Sequence, residues 1–419
     1  MIRNYEYDVV VIGGGSAGVA AAIGASECNA KTLLVERNPY LGGEATHSNV
    51  ISYCGFFTRG EKPDQVVFGV GERVLQKLRD MNEDTNYFIS KATGNASIRF
   101  NPEKLKIALD GLIEESSIDL LLNATMIEVK KSNNKIEGIT CMDDEGYINI
   151  KAKAFIDATG DGNVANLTGL ETLWGDEDGK TQMASLSVRI DNLPKDEDIN
   201  PKDLEAAIIQ GKKDGIPYLH KEKGLIIKIP FEDYGFLTIP SLHIDDLTAE
   251  TLTNAEINLR KQAQSYVEVL KKYVPYLKDI RLVSTGPKIG IRESRRVIGE
   301  EALHYKDILS GRKRENSIGR GGWSPEIHKD IKELIYIHIA DNDYYDIPIS
   351  TLKAKDIINL WCCGRNISCD SISHSSVRVM GTSFVTGQGA GVSAALTLDQ
   401  EEYDIVKIQN ELKKQGALI

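Results

Sequence analysis

Asp8-Val9-Val10-Val11-Ile12 is an unbroken β-branched run, the pattern of a strand buried on both faces. It stops at Gly13-Gly14-Gly15-Ser16-Ala17-Gly18, and the alanine-rich VAAAIGASECNA that follows predicts a helix. A second apolar run, Lys31 to Val35, ends on Glu36. Residues 102–116 (PEKLKIALDGLIEES) carry apolar positions at helical spacing, and IDLLLNATMIEV after them reads as one strand. KIEGITCMDDEGYINIKA alternates on both sides of Asp144-Glu145-Gly146 and predicts a hairpin that leads into Lys153 to Ala158. Further along, TQMASLSVRI, GLIIKIP and GFLTIPSLHI read as strands, and TAETLTNAEINLRKQAQSYVEVLKKY as a long amphipathic helix. Ile357 to Cys363 is a last apolar run, and Gly387-Gln388-Gly389-Ala390-Gly391 sits in an alanine-rich helix. Strands alternating with helices predict an α/β fold built on a parallel sheet.

At about 150 residues per domain, 419 residues make two to three domains. Hydrophobic residues are 41% and charged residues 26%, which excludes a disordered or fibrous chain. The net charge of −11 argues against nucleic acid and against an anionic membrane surface as partners. No apolar run is long enough to span a bilayer. Cysteines at 28, 54, 141, 362, 363 and 369 form no C-x-x-C pair, and no His, Cys and carboxylate cluster has metal-ligand spacing, so no metal is expected. The expectation is a soluble protein of the reduced cytoplasm. The 37 glycines are a surplus, and their clusters at 13–18, 42–43, 160–162 and 387–391 mark where backbone is asked to approach something closely.

The first cluster is the most informative. Glycines at 13, 15 and 18 give G-x-G-x-x-G between a strand and a helix, with an acid ending the next strand. Gly13 makes the tight turn, Gly15 lets backbone reach a pyrophosphate, and Gly18 lets the helix pack on the strand. Ser16 and Ala17 open a helix whose free N–H groups favour phosphate. Glu36 can accept hydrogen bonds from a ribose diol. This is a dinucleotide site.

After Glu36 the chain reads Arg37-Asn38-Pro39-Tyr40-Leu41-Gly42-Gly43, and this E-R-x-x-x-L-G-G stretch resembles the large flavoprotein superfamily. The resemblance implies that Gly42 and Gly43 approach the pyrophosphate and the flavin edge, and that Met126 and Ile127 lie near the adenine. Ala158-Thr159-Gly160-Asp161 resembles the second flavoprotein fingerprint. Gly290-Ile291-Arg292-Glu293-Ser294-Arg295-Arg296, Tyr345-Asp346-Ile347-Pro348, Gly364-Arg365-Asn366-Ile367-Ser368-Cys369-Asp370 and His374-Ser375-Ser376-Val377-Arg378-Val379-Met380 then follow in order. On these motifs the chain is similar to the FAD-dependent oxidoreductase family, from residue 8 to about 398. Its fold is of the glutathione-reductase type, nearer the succinate dehydrogenase and fumarate reductase flavoproteins than the disulfide reductases. His47, Asn49 and the Cys362-Cys363 pair depart from the usual pattern. The resemblance implies FAD and a Rossmann-like FAD-binding domain with a parallel sheet and a β-meander, made of 1–170 and 346–419. The resemblance also implies that residues 171–345 form an inserted α+β substrate domain. Gly364, Arg365 and Asp370 are implied cofactor contacts. Gly387, Gln388 and Gly389 are expected to let their helix sit under the flavin ring.

For chemistry, His374, Arg378, Arg295, His47 and Cys54 are the candidates. His374 and His47 are potential proton donors near neutral pH. Cys54 is a nucleophile only if its pKa is lowered. On a helix, Arg292, Arg295 and Arg296 of the R-E-x-R-R run share a face; they either hold a carboxylate or the flavin's anionic edge, or form an internal ion-pair network with Glu293, Glu300 and Glu301. Gly319-Arg320-Gly321-Gly322-Trp323 is either a lid or a plain turn. Gly69-Val70-Gly71 lacks the strand and third glycine of a second nucleotide unit, so no dedicated NAD(P)H domain is expected. The expected function is two-electron oxidation or reduction of a small-molecule substrate. The alternative is a non-redox FAD- or NAD-binding protein, such as a thiazole-synthase-like enzyme or a flavin-holding subunit. An electron-carrying partner protein and a homo-oligomer stay open.

Overall fold

The N-terminal apolar run forms the end of β1 (Ile2–Ile12), where Val9, Val10 and Val11 are fully buried, as a strand covered on both faces requires. The computed structural model describes residues 1–90, 93–195, 198–229, 232–398 and 400–419. α1 (Ser16–Ser26) leads to β2 (Thr32–Val35), which lies parallel to β1. α2 (Glu44–His47) and β3 (Ser52–Cys54) follow. α3 (Pro102–Glu114) starts where the Asn101 side chain accepts from the Glu103 N–H and Pro102 presets the first turn.

The stretch IDLLLNATMIEV is two strands rather than one: β4 (Ile118–Leu121) and β5 (Thr125–Ser132). Asn123 between them takes φ of 57°, a left-handed turn that an apolar pattern does not announce. β6 (Lys135–Asp143) and β7 (Gly146–Asp157) form the hairpin expected around Asp144-Glu145. The strand order is β4-β2-β1-β7-β6-β5: β4, β2, β1 and β7 run parallel, and β5-β6-β7 is an antiparallel meander.

Residues beyond this sheet build a separate core. β8 (Val188–Asp191), β9 (Ile226–Lys228), β10 (Gly235–Leu237) and β11 (Arg281–Thr285) form an antiparallel sheet in the order β9-β10-β8-β11. α4 (Pro201–Lys213) and α5 (Ala249–Tyr273) contribute Leu204, Ile208, Leu259, Tyr266 and Leu270 to its core. The expected strands shorten here, because TQMASLSVRI splits into Ala184–Ser185 and β8, and GFLTIPSLHI into β10 and Ser241–Leu242. Pro230, which ends the expected strand GLIIKIP, lies outside the described residues.

The R-E-x-R-R run is not helical. Its end is β12 (Arg295–Val297), paired antiparallel with Thr172–Trp174, so the three arginines do not share a face. Arg296 and Glu293 form a buried ion pair instead, while Glu300 accepts from the Tyr403 hydroxyl and Glu301 pairs with Arg314. The Gly319–Trp323 segment is no lid: Ser317–Gly321 pairs with Tyr345–Pro348, and Trp323 is buried, its carbonyl accepting from the Ser376 hydroxyl.

β13 (Glu326–His328) and β14 (Leu334–Tyr336) make a small hairpin. β15 (Leu360–Cys362) then returns to the large sheet, parallel to the end of β7. α6 (Ser371–Val377), α7 (Met380–Leu396) and α8 (Ile405–Lys414) complete the chain. α7 is buried almost along its length and packs on α1 through small residues on both helices. The fold is mixed α/β, with a parallel-rich central sheet and several small sheets. No helix among the described residues is long and apolar enough to cross a membrane.

Candidate functional site

A cleft of about 300 Å³ lies at the carboxyl ends of β1, β2 and β7, where ligands of open parallel sheets bind. Its walls come from both ends of the chain. Gly13, Gly15, Ser16, Ala17, Glu36, Arg37, Gly42 and Gly43 supply one side, and Met126, Ala158, Thr159, Gly160 and Asp161 another. Gly364, Arg365 and Arg378 close it.

The glycines divide into two mechanical kinds. Gly13 takes φ of 105°, and a Cβ on it would stand 2.4 Å from the Ala158 carbonyl oxygen. Gly18 lies outside the cleft wall; a Cβ there would stand 1.7 Å from the Gly13 carbonyl oxygen, so it serves helix-on-strand packing. Gly15 is different: a Cβ on it would meet only the Gly43 Cα, at 3.7 Å. The space over Gly15 belongs to the cleft. Gly42 donates its N–H to the Gly14 carbonyl at 2.8 Å, holding the Gly42-Gly43 backbone against the first turn.

α1 begins at Gly15 with no side-chain cap and no acid in its first turn, which leaves its N–H groups free for an anion. Glu36 is 5% exposed; it accepts from the Gly14 N–H at 2.6 Å and from the Asn38 N–H at 2.9 Å. It therefore braces the glycine turn, and a carboxylate still has lone pairs for a further donor.

Arg365 crosses the cleft wall. It donates to Asp161 at 3.1 Å and Glu44 at 3.5 Å, and its other terminal nitrogen is buried with no partner among the described residues. Burial works against the Asp161 charge, but Arg365, Lys288 and the Ser294 hydroxyl hold it below the usual carboxylate range. Glu44 Oε2 and His47 Nε2 are also buried without partners. His47 stacks on Tyr40 with ring centroids 4.5 Å apart, and burial keeps its imidazole pKa below the usual value despite Glu36 and Glu44. Unpaired donors and acceptors in one cleft fit a ligand with anionic and hydroxyl edges, which FAD has.

Several expected contacts lie elsewhere. Ile127 is 40% exposed and outside the cleft wall; it falls where the β5–β6 register shifts between Met126 and Glu128. Asp370 caps α6, accepting from the Ser373 N–H at 2.7 Å and the Tyr305 N–H at 2.8 Å. Gly387, Gln388 and Gly389 sit in the middle of α7; Gly387 packs on Ala17, Gly389 on Ile318, and Gln388 accepts from the Val70 N–H. The α7 residues in the cleft are Met380 and Ser383, in its first turn.

Among the candidates for chemistry, Arg378 and His47 line the cleft, and Arg295, His374 and Cys54 do not. Arg295 donates to the Asp161 carbonyl at 3.1 Å and so buttresses that loop. His374 is fully buried; its Nε2–H donates to the Arg365 carbonyl at 2.9 Å, and burial with the fields of Arg296, Arg378 and Arg365 keeps it neutral. Burial pushes the Cys54 thiol up to about 12, against a nucleophilic thiolate. The cleft also contains Asn38, Glu44, Lys288 and Ser383. Lys288 had no motif to announce it; it lies between Ile280 and Ile289 of the second core, and its N–H donates to the His47 carbonyl at 2.9 Å.

Residues 8–414 match the family described as FAD dependent oxidoreductase. A digeranylgeranylglycerophospholipid reductase of Thermoplasma acidophilum is 25% identical over 167 residues, covering 37% of this chain and 39% of that protein. An NADH:fumarate oxidoreductase of Klebsiella pneumoniae is 28% identical over 193 residues, covering 37% of this chain and 20% of that protein. These matches thus span well under half of either relative. The solved structure of OxyS anhydrotetracycline hydroxylase from Streptomyces rimosus is alike in fold, with a TM-score of 0.51 at 10% identity over 98% of this chain and 66% of that one. A dinucleotide cleft of this build and a family match over nearly the whole length lead to one statement: the chain belongs to the FAD dependent oxidoreductase family, with FAD as its cofactor.

Proposed function

We propose that this protein carries out a two-electron oxidation or reduction of a small molecule beside the flavin end of the cleft. The observation that carries the reading is the uncapped start of α1 facing the same cleft as the unpaired polar atoms of Glu44, His47 and Arg365. FAD, when bound, supplies the electron exchange. The chain's own part is positioning. Gly15, Ser16 and Ala17 receive the pyrophosphate, and Glu36 with Asn38 borders the ribose. Arg365, fixed by Asp161 and by the His374 bond to its carbonyl, holds the wall near the flavin.

On this reading, residues 1–170 and 346–419 act as the FAD-binding domain and 171–345 as the substrate domain. The electron partner is the substrate, a visiting nicotinamide or a carrier protein. All six cysteines are free, which suits a reducing compartment such as the cytoplasm.

The test is a purified protein. Bound FAD that bleaches with a reductant, reoxidises, and bleaches again with one member of a substrate panel is the expected result. A colourless protein that binds NAD would overturn it.

A further inference from the structure

Arg378 belongs to the cleft wall and also to a second group of charged side chains. Lys221 comes from the loop between α4 and β9, Arg292 from the segment before β12, and Glu326, His328 and Tyr336 from the β13–β14 hairpin. Gln182 joins from the loop before Ala184–Ser185.

The hydrogen bonds in this group leave a specific deficit. The Glu326 carboxylate is engaged by its own hairpin, by His328 Nε2 at 3.0 Å and the Tyr336 hydroxyl at 3.4 Å. Arg292 donates to the Met183 carbonyl at 2.6 Å, and Arg378 to the Glu326 carbonyl at 3.2 Å. Among the described residues, neither arginine nor Lys221 has a carboxylate within 4.0 Å. Two further donors are buried with no acceptor among the described residues: Arg378 Nε and Gln182 Nε2, the latter on a residue only 4% exposed. The Gln182 oxygen already accepts from the His328 N–H at 3.2 Å and from Arg378 Nη2 at 3.5 Å, so its amide nitrogen is the free end.

The cations also act on one another. Burial and then Arg292 bring Lys221 down to about 8, and burial and then Arg378 bring Arg292 down to about 10, with Glu326 opposing both shifts. Unpaired buried donors and mutually repelling cations are costly, and an acceptor-only anion relieves both terms.

We propose that Arg292, Arg378 and the Gln182 amide, with Lys221 in their field, form the recognition site for an oxyanion carried by the substrate. A carboxylate and a phosphate share the required chemistry. Arg378, common to this group and the cleft, sets that anion beside the flavin end. The inference rests on the reading of the cleft given under Proposed function.

The test uses FAD-loaded protein at constant ionic strength, titrated with acetate and separately with inorganic phosphate. Calorimetry and the flavin difference spectrum follow binding. At least one anion binds saturably to the wild type. Arg292→Gln and Lys221→Met each raise its Kd at least tenfold with the FAD-to-protein ratio unchanged, while Arg260→Gln on the exposed face of α5 binds as wild type. If Arg292→Gln fails to fold, Lys221→Met carries the comparison. No saturable binding of either anion, or wild-type affinity in the folded variants, overturns the proposal. A protein that holds no FAD would defeat the reading of the cleft instead, and calorimetry would still test the cation group by itself.

Discussion

Gly387 of α7 lies directly on Ala17 of α1: a Cβ at position 387 would stand 2.1 Å from the Ala17 carbonyl oxygen. Gly391, about one turn on, meets the Ala21 carbonyl at the same 2.1 Å. The two helices therefore touch backbone to backbone. Gly387→Ala and Gly391→Ala should each force them apart and cost about 1–3 kcal/mol. Thermal melting of the purified variants checks this, and a melting temperature equal to wild type for both would contradict the packing.

Gly13 and Gly15 should fail in different ways. Gly13→Ala strains a φ of 105° and strikes the Ala158 carbonyl, so it lowers stability whether or not FAD is present. Gly15→Glu meets open space in the free protein, so it should fold normally and lose FAD. The readout is melting temperature against flavin content after gel filtration. A folded Gly15→Glu protein that stays yellow would show that the pyrophosphate lies elsewhere.

Cys54 should be an unreactive thiol. With its pKa pushed up to about 12, mainly by burial, almost none is ionised at pH 8. Labelling by a thiol reagent at that pH should be at least tenfold slower than for a free thiol, and Cys54→Ala should keep its turnover and flavin spectrum. Rapid labelling that abolishes turnover would restore the nucleophile reading.

Lys221 should burden the fold at neutral pH. Its folded pKa of about 8 lies below the ordinary lysine value of 10.5, so between these values the unfolded chain binds more protons. The lysine's contribution to stability accordingly rises with pH across that window and is most unfavourable below it. Facing it are Arg292, which adds to the penalty, and Glu326, which opposes it. Lys221→Met should melt about 2 °C higher at pH 7, with the gap narrowing toward pH 10. A variant that melts lower than wild type at pH 7 would mean that Lys221 has a compensating partner.

The dinucleotide end was legible because each element there obeys a short-range rule. A β-branched strand, three glycines, an uncapped helix start and an acid follow one another within a few dozen residues. The misreadings share a different origin. Ile127 and Met126 are adjacent, and only the strand's register decides which faces the cleft. Arg292 to Arg296 has helical spacing of charges, but pairing with Thr172–Trp174 makes its end a strand, which no local signal reports. Gly387-Gln388-Gly389 carries the right residues for close approach, yet the thing approached is α1. Lys288 reaches the cleft only through the tertiary fold.

The cleft is walled by residues from Ile12 to Ser383. During synthesis, a ribosome must therefore release residues through Ser383 before the cleft that would hold FAD is complete. The early segments have to wait, folded or chaperoned, without the cofactor that will stabilise them. Flavin can then stabilise only chains that extend into α7, and chains truncated before α7 should escape rescue by added riboflavin.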